Sequence, residues 1–189
     1  MNQYRINLLN FLFLAVFVLF AASCDSEEPD TNDAGEEELI TRVTITLTPD
    51  NGGADVIVEA NDADGDGANF QIGSLTLTPN TSYSGSIAVF DDINNENINA
   101  EIAEEADEHQ FFYTPMGDIV DRVVVTITDQ DENGLPVGLD FTLEVTAGTD
   151  VSGELQVVLS HYDVTRKNGV AMSSESDIDL TFPVTVTEL

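Results

Sequence analysis

The stretch "RVTITLT", residues 42–48, guides the interpretation of the rest of the chain. Val43, Ile45 and Leu47 alternate with polar residues, so an apolar side chain recurs at every second position. Successive side chains of a β-strand point to opposite sides of the sheet, so this period is typical of a strand with one buried face. The stretch therefore predicts a half-buried strand.

The same alternation recurs along most of the chain beyond residue 39. Runs of this kind, separated by turns rich in Asp, Asn and Gly, lie at residues 56–60, 73–78, 83–90, 109–114, 120–128, 141–145, 154–162 and 180–186. Many short strands at close spacing favour two packed antiparallel sheets over a parallel sheet with helices. We predict an all-β fold for residues 39–189, a single antiparallel, Greek-key-like β-sandwich of about eight or nine strands.

One segment departs from this period. "NINAEIAEEADEH", residues 97–109, places Ile98, Ile102 and Ala106 four positions apart among acidic residues. Apolar residues at that spacing lie on one face of a helix. We therefore expect one short helical or loop insertion near residues 97–108.

The N-terminal residues have a different composition. Arg5 precedes an apolar run over residues 8–22, and no acidic residue occurs before Asp25, which is typical of a secretory signal peptide over residues 1–23. Small residues then lead into Cys24, the only cysteine of the chain. This arrangement resembles a bacterial lipobox, and the resemblance implies that Cys24 is lipidated and begins the mature protein. The alternative is an ordinary cleaved signal that leaves a free thiol.

The segment after the cysteine, "CDSEEPDTNDAGEEE" at residues 24–38, is acidic and has no apolar side chain larger than Ala beyond Cys24. Such a composition cannot bury a core, so we expect a flexible tether. Acidic residues directly after a lipidated cysteine also resemble a surface-export signal of some Gram-negative bacteria. We expect anchorage to the outer membrane, either surface-exposed or on its periplasmic face.

The charge balance restricts the partners of the protein. The chain has 36 Asp and Glu residues against 5 Lys and Arg, a net charge of −31. Nucleic acid is excluded as a partner, because almost no cations are available to contact phosphates. Metal ions or cationic ligands suit such a surface, although colloidal repulsion alone would explain the charge.

Two loops carry oxygen ligands at alternate positions. In "NDADGDGANF", residues 61–70, these are Asp62, Asp64 and Asp66, a pattern that suits calcium. The twelfth position of this loop is Gly73, so it lacks the closing carboxylate of a helix–loop–helix site, and its flanks resemble strands. Calcium binding therefore competes with the simpler interpretation of a polar turn between two strands.

The second loop, "DQDENGLPVGLD" at residues 129–140, repeats the offsets. It places Asp129, Asp131 and Asn133 at the positions of the first three ligands and Asp140 at the twelfth. Calcium is the functional interpretation here as well. A hairpin turn is again the alternative, because Asp, Asn and Gly are common in turns of any function.

The two histidines are candidate ligands for a transition metal. His109 follows a run of acidic residues and shares its parity with Phe111, and His161 shares its parity with Leu159, so His161 should face inward near the end of its strand. Imidazole suits zinc, copper, iron or nickel. The sequence separation does not indicate whether the two rings meet. The alternative is one histidine at the edge of the core and one exposed histidine.

Several separated segments together carry a resemblance: "VTITLT", "YSGSIAVF", "EEADEHQFFYT", "VTITDQDENGLPVGL", "ELQVVLSHY" and "DIDLTFPVTV". The chain is similar to small acidic outer-membrane lipoproteins of Gram-negative bacteria that carry the automatic label "type 1 periplasmic binding fold superfamily protein". The resemblance implies a lipoprotein that works beside a TonB-dependent receptor. The fold named in that label needs two lobes of alternating strands and helices, and this chain has neither the length nor the pattern.

No recognised catalytic motif occurs in the chain, neither a nucleophile elbow nor a phosphate loop nor an H-E-x-x-H pair. We therefore expect no catalytic residues and no enzyme activity, with a hydrolase ranked far behind other functions. The leading expectation is a binding or accessory lipoprotein that assists a receptor in ligand or metal capture. The alternative is a structural or adhesive surface domain with calcium-stabilised acidic loops.

Overall fold

Eleven strands and one short helix make up the regular structure of residues 39–188, which are the residues that the computed structural model describes. The strands are β1 (Arg42–Pro49), β2 (Val56–Asn61), β3 (Gln71–Ile72), β4 (Leu75–Leu77), β5 (Thr81–Asp91), β6 (Glu96–Asn97), β7 (His109–Gly117), β8 (Val123–Ile127), β9 (Asp140–Val145), β10 (Val151–His161) and β11 (Glu175–Val186). The helix α1 spans Ile98–Glu104.

The predicted signal peptide at residues 1–23, the lipidation site Cys24 and the tether at residues 24–38 lie outside the described residues. Within the described part of the chain, no helix is long and apolar enough to cross a membrane.

The strands form two sheets, which confirms the predicted all-β sandwich. One sheet has the order β3-β2-β1-β5-β9-β8, with β6 paired to β5, and the other has the order β4-β11-β10-β7. Neighbouring strands are antiparallel except for β4 and β11, which pair in parallel. Three of the eleven strands are only two or three residues long, and the eight longer ones agree with the predicted number.

The core lies between the two sheets. One hydrophobic cluster contains buried residues of both sheets. Val43, Ile45 and Leu47 of the opening stretch are fully buried, as their alternation predicts. From the other sheet, Leu155 and Leu159 enter the same cluster. Burying apolar side chains on one face of each sheet is the dominant favourable contribution to such a fold.

The helix α1 begins at a capping residue that its sequence provides. The side chain of Asn97 accepts a hydrogen bond from the N–H of Asn99 and so caps the first turn. Ile98 and Ile102 are buried on one face, which confirms the predicted helix, although it is shorter than residues 97–108. The chain leaves the helix at Glu105 and enters β7 a few residues later, which brings the end of the helix beside His109.

Candidate metal site

The two histidines meet on adjacent strands. His109 is the first residue of β7 and His161 is the last residue of β10, and they form a direct cross-strand pair. The neighbouring pair on the same face is Phe111 with Leu159, both buried in the core. The imidazole rings therefore face inward, as the parity of His161 predicts for that residue, and they stack with centroids 4.6 Å apart and an interplanar angle of 18°.

A β-bulge brings a third ligand to the pair. In the pairing of β10 with β11, Leu159 lies opposite Ile178 but Ser160 lies opposite Ser176, so Asp177 is the extra residue. A bulge of this kind redirects a side chain that regular alternation would point elsewhere. The Asp177 carboxylate approaches both rings, with Oδ2 3.6 Å from Nε2 of His109 and Oδ1 3.5 Å from Nδ1 of His161.

The ring of His109 is oriented by the end of α1. Its Nδ1 lies 3.2 Å from the backbone oxygen of Glu105. In the tautomer that places the proton on Nδ1, this nitrogen donates to the carbonyl, and Nε2 directs its lone pair to the side of Asp177. A backbone carbonyl that fixes the tautomer in this way is a common feature of metal-binding histidines.

The distances within the cluster suit a bound metal ion. One ligand atom from each of His109, His161 and Asp177 lies within 4.8 Å of the other two. A tetrahedral ion with ligands at roughly 2.0–2.2 Å holds neighbouring ligand atoms roughly 3.3–3.6 Å apart, because tetrahedral edges are about 1.6 times the bond length. Both nitrogen–oxygen distances are close to that edge length, but each involves a different oxygen of Asp177, so they show that the carboxylate reaches both rings and do not define one tetrahedron. The same three side chains form an ion pair instead when one imidazole is protonated.

The burial of the ligands differs across the cluster. The side chains of His109 and Asp177 are 1% and 5% exposed, whereas that of His161 is 15% exposed. Asp163 lies near His161. Its pKa is lowered, first by a hydrogen bond with Glu175 and also by the interaction with His161. The accessible side of the cluster therefore carries acidic groups, which attract cations.

The first Asp-rich loop gathers its carboxylates. Asp62, Asp64 and Asp66 place ligand oxygens within 4.8 Å of one another. Asp62 is buried, and its carboxylate accepts hydrogen bonds from the backbone N–H groups of Gly65 (3.2 Å) and Gly67 (2.8 Å). The loop is therefore organised by its own backbone, which is the behaviour of a polar turn, while its oxygens also form a group that suits calcium.

The pKa values of Asp62 and Asp64 in this loop are shifted in opposite directions. Burial raises the pKa of Asp62, but the hydrogen bonds from Gly67, from Asp64 and from Gly65 outweigh it, so the pKa lies below its ordinary value. The pKa of Asp64 is raised, first by its hydrogen bond with Asp62 and then by the charge of Asp66. Crowded carboxylates of this kind are relieved by a proton or by a cation.

The second Asp-rich loop is organised differently. Asp129 accepts hydrogen bonds from the N–H groups of Gly138 and Leu139, and Asp131 lies 3.0 Å from the ammonium of Lys167. The described residues around Asp129, Asp131 and Asn133 form no group of three His, Cys, Asp or Glu ligands. A protein cation already neutralises the carboxylate that calcium would need, so the geometry favours the turn over the calcium interpretation here.

The pKa of Asp131 is lowered despite its burial. Burial raises its pKa, but the N–H of Leu135, the Lys167 ammonium and the N–H of Asn133 together hold it below the ordinary value. The pair therefore joins two loops that are 36 residues apart in sequence. Sequence analysis gave no signal for this contact, because Lys167 lies in a polar segment without periodicity.

Comparisons with protein-family models, with curated proteins and with solved structures find no match for the chain. The functional argument therefore depends on the side chains alone. Two imidazoles and one carboxylate at the ends of three adjacent strands form a mixed nitrogen–oxygen ligand set, and a cation site is the class of site that this geometry supports best.

Proposed function

We propose that the chain is a lipid-anchored binding protein of the outer membrane whose folded domain holds a divalent transition metal ion. The observation that carries the proposal is the convergence of His109, His161 and Asp177 in one buried cluster. Imidazole nitrogen with one carboxylate oxygen is a ligand set of zinc and related first-row ions, whereas calcium and magnesium prefer oxygen alone. The net charge of −31 would raise the local concentration of cations around the domain.

The location rests on the N-terminal residues. The signal peptide at residues 1–23, the lone Cys24 and the acidic tether at residues 24–38 support anchorage through a lipid. We propose that the anchored domain assists a TonB-dependent receptor in metal capture. The Cys24→Ala variant should leave the membrane fraction for the soluble fraction, and persistence in the membrane with no acyl group on wild-type Cys24 would contradict the anchor.

Calorimetric titration of the full chain in detergent with Zn²⁺ tests the metal proposal. A background of millimolar Mg²⁺ occupies the weak sites that dense carboxylates offer to any divalent ion. We expect one zinc site per chain, lost in His161→Asn. The matched control is Asp62→Asn/Asp64→Asn. It removes two negative charges, whereas His161→Asn removes none, and it leaves the histidine cluster intact. Equal loss of binding in the control would mean that general charge, and not the cluster, attracts the ion.

A second candidate function is a structural or adhesive surface domain stabilised by calcium. The grouping of the Asp62, Asp64 and Asp66 oxygens supports it. A gene for a TonB-dependent receptor beside the gene of this protein favours uptake, whereas tandem copies of the sandwich in related surface proteins favour adhesion. Calcium-dependent adhesion of cells that display the chain, lost in Asp62→Asn/Asp64→Asn, would establish the second function.

A further inference from the structure

The only lysine of the chain is buried. Lys167 is the single Lys among 189 residues, 36 of which are acidic, and its side chain is 1% exposed. Its Nζ donates to the backbone oxygen of Ala106 at 2.6 Å and to Oδ2 of Asp131 at 3.0 Å. The Asp131 side chain is equally buried at 1%. Lysine is almost never buried without a specific partner, so this pair is a specialised feature of the fold.

The two oxygens of Asp131 have different environments. Oδ2 faces the amine of Lys167, whereas Oδ1 accepts hydrogen bonds from the backbone N–H groups of Asn133 and Leu135, both at 2.8 Å. Two backbone N–H groups on one oxygen form the arrangement that stabilises an oxyanion during addition to a carbonyl carbon. Transfer of one proton from the Lys167 ammonium to Oδ2, 3.0 Å away, leaves a neutral amine as the nucleophile on one side of the carboxyl carbon, with the oxyanion donors on the other.

We propose that Lys167 and Asp131 condense to form an intramolecular isopeptide bond. A bond forms between Nζ of Lys167 and Cγ of Asp131, and the bond between Cγ and Oδ2 breaks. One of the three ammonium protons stays on the amide nitrogen, and the other two leave with Oδ2 as water. The reaction is a condensation without change of oxidation state, and it needs no co-reactant.

Proximity and burial both favour the product. Groups that are held in contact and well oriented react with effective concentrations of about 10⁵–10⁸ M. This proximity offsets the unfavourable equilibrium of amide formation in water. The amide also replaces two buried charges, whose removal from water is costly, by one neutral group. A cavity of about 430 Å³ lined by Lys167, Asn133 and Glu108 gives the released water a path to solvent.

Each polar contact of the pair has a counterpart in the amide. Oδ1 becomes the amide oxygen and keeps the N–H donors of Asn133 and Leu135. The amide N–H keeps the backbone oxygen of Ala106 as its acceptor. The product therefore leaves none of these groups unsatisfied.

The cross-link would fix the surroundings of the histidine cluster. It joins the loop between β8 and β9 to the segment between β10 and β11, and that segment connects the strands that carry His161 and Asp177. Closing a loop of this length restricts the unfolded chain as a disulfide does. A chain with a single cysteine has no intramolecular disulfide for this purpose.

Arginine-specific proteolysis of the denatured full chain tests the bond. Cleavage after Arg122 and Arg166 separates residues 123–166, which contain Asp131, from residues 167–189, which begin with Lys167. We expect the two fragments to remain joined, with a mass one water lower than their sum. Tandem mass spectrometry should show two amino termini, Val123 and Lys167, which distinguishes the branched product from an uncleaved linear chain.

The controls use the same cleavage sites. Asp131→Ala should yield two separate fragments, and Asp131→Asn should yield joined fragments with ammonia released in place of water. Because the wild-type digest is decisive by itself, poor folding of a variant does not affect the conclusion. Recovery of two separate, unmodified fragments from folded wild-type protein after prolonged incubation would overturn the isopeptide bond and leave an ordinary buried ion pair.

Discussion

The histidine cluster and the first Asp-rich loop are both groups of three potential ligands, but they are constructed in opposite ways. His109, His161 and Asp177 come from three strands and are held by sheet pairing and a bulge. Asp62 and Asp66 lie four residues apart in one loop that is held by its own backbone hydrogen bonds. The first group mixes nitrogen and oxygen, and the second offers oxygen alone.

This difference determines what each group does without a metal. The strands fix the histidine cluster whether or not an ion is present, so a metal would find its ligands already in position and lose little free energy to ordering them. In the Asp-rich loop the backbone N–H groups already serve the carboxylate of Asp62, so calcium would add to an existing turn. Metal binding should therefore matter more for stability at the histidines than at the aspartates.

The largest expected effect is zinc stabilisation through the histidine cluster. At a free Zn²⁺ concentration of about 100 times Kd the folded state gains about 2.7 kcal/mol, and a domain of this size then melts roughly 5–11 °C higher. His161→Asn should abolish the shift, measured by differential scanning calorimetry with and without chelator. We choose His161 because it is the most exposed of the three ligands. A zinc-induced rise in melting temperature that persists in this variant would show that the histidine cluster is not the stabilising metal site.

The next effect concerns Asp177. Replacing the carboxylate by a neutral amide of the same shape, in Asp177→Asn, should weaken zinc binding at least about tenfold, or about 1.4 kcal/mol, because the amide is a poorer ligand for zinc than a carboxylate. The matched control is Asp179→Asn on the same strand, which is exposed and lies outside the cluster. Calorimetric titration measures both affinities. Equal losses in the two variants would assign the effect to net charge.

Local pattern predicted the fold well and the site only in part. Alternation predicted the long strands, and the spacing of Ile98 and Ile102 predicted the helix, since both depend on residues close in sequence. The two-residue strands β3 and β6 carry no such pattern. The inward direction of His161 followed from parity, but its contact with His109 depends on the register of β7 with β10, which alternation does not encode.

Asp177 and Lys167 were missed for the same physical reason. Alternation with Ile178 predicts an outward side chain for Asp177, and only the bulge in β11 brings it to the histidines. Lys167 reaches Asp131 across two loops that contain no periodic residues. The two Asp-rich loops share one sequence pattern, yet a distant lysine makes them different structures. Local motifs therefore predict the composition of a site better than its contacts.

A smaller effect is expected from calcium at the first Asp-rich loop. Extracellular calcium modules often bind with Kd of about 10⁻⁴–10⁻³ M, so a few millimolar calcium should raise the melting temperature by roughly 2–8 °C. Asp62→Asn/Asp64→Asn should remove this shift and leave the zinc shift unchanged. Magnesium is the control, because it prefers a smaller octahedral shell. An equal response to magnesium, unchanged in the double variant, would mean that the loop is only a turn.

The smallest effect distinguishes the two carboxylates of that loop in the presence of chelator. The folded-state pKa of Asp62 is lowered, so its contribution to stability is present above its unfolded value of 3.8 and is lost as pH falls through the folded value. The pKa of Asp64 is raised, so its ionisation opposes folding at neutral pH. At pH 7 Asp62→Asn should therefore lower the melting temperature and Asp64→Asn should raise it, each by less than the zinc shift. The difference between the variants should shrink below about pH 4, where the unfolded carboxyl groups become protonated.

Saturating calcium should reverse the sign of the change in melting temperature for Asp64→Asn, because an ionised Asp64 would then be a ligand. A gain in stability from Asp64→Asn that is the same with calcium as with chelator would show that this loop, unlike the histidine cluster, takes no ion.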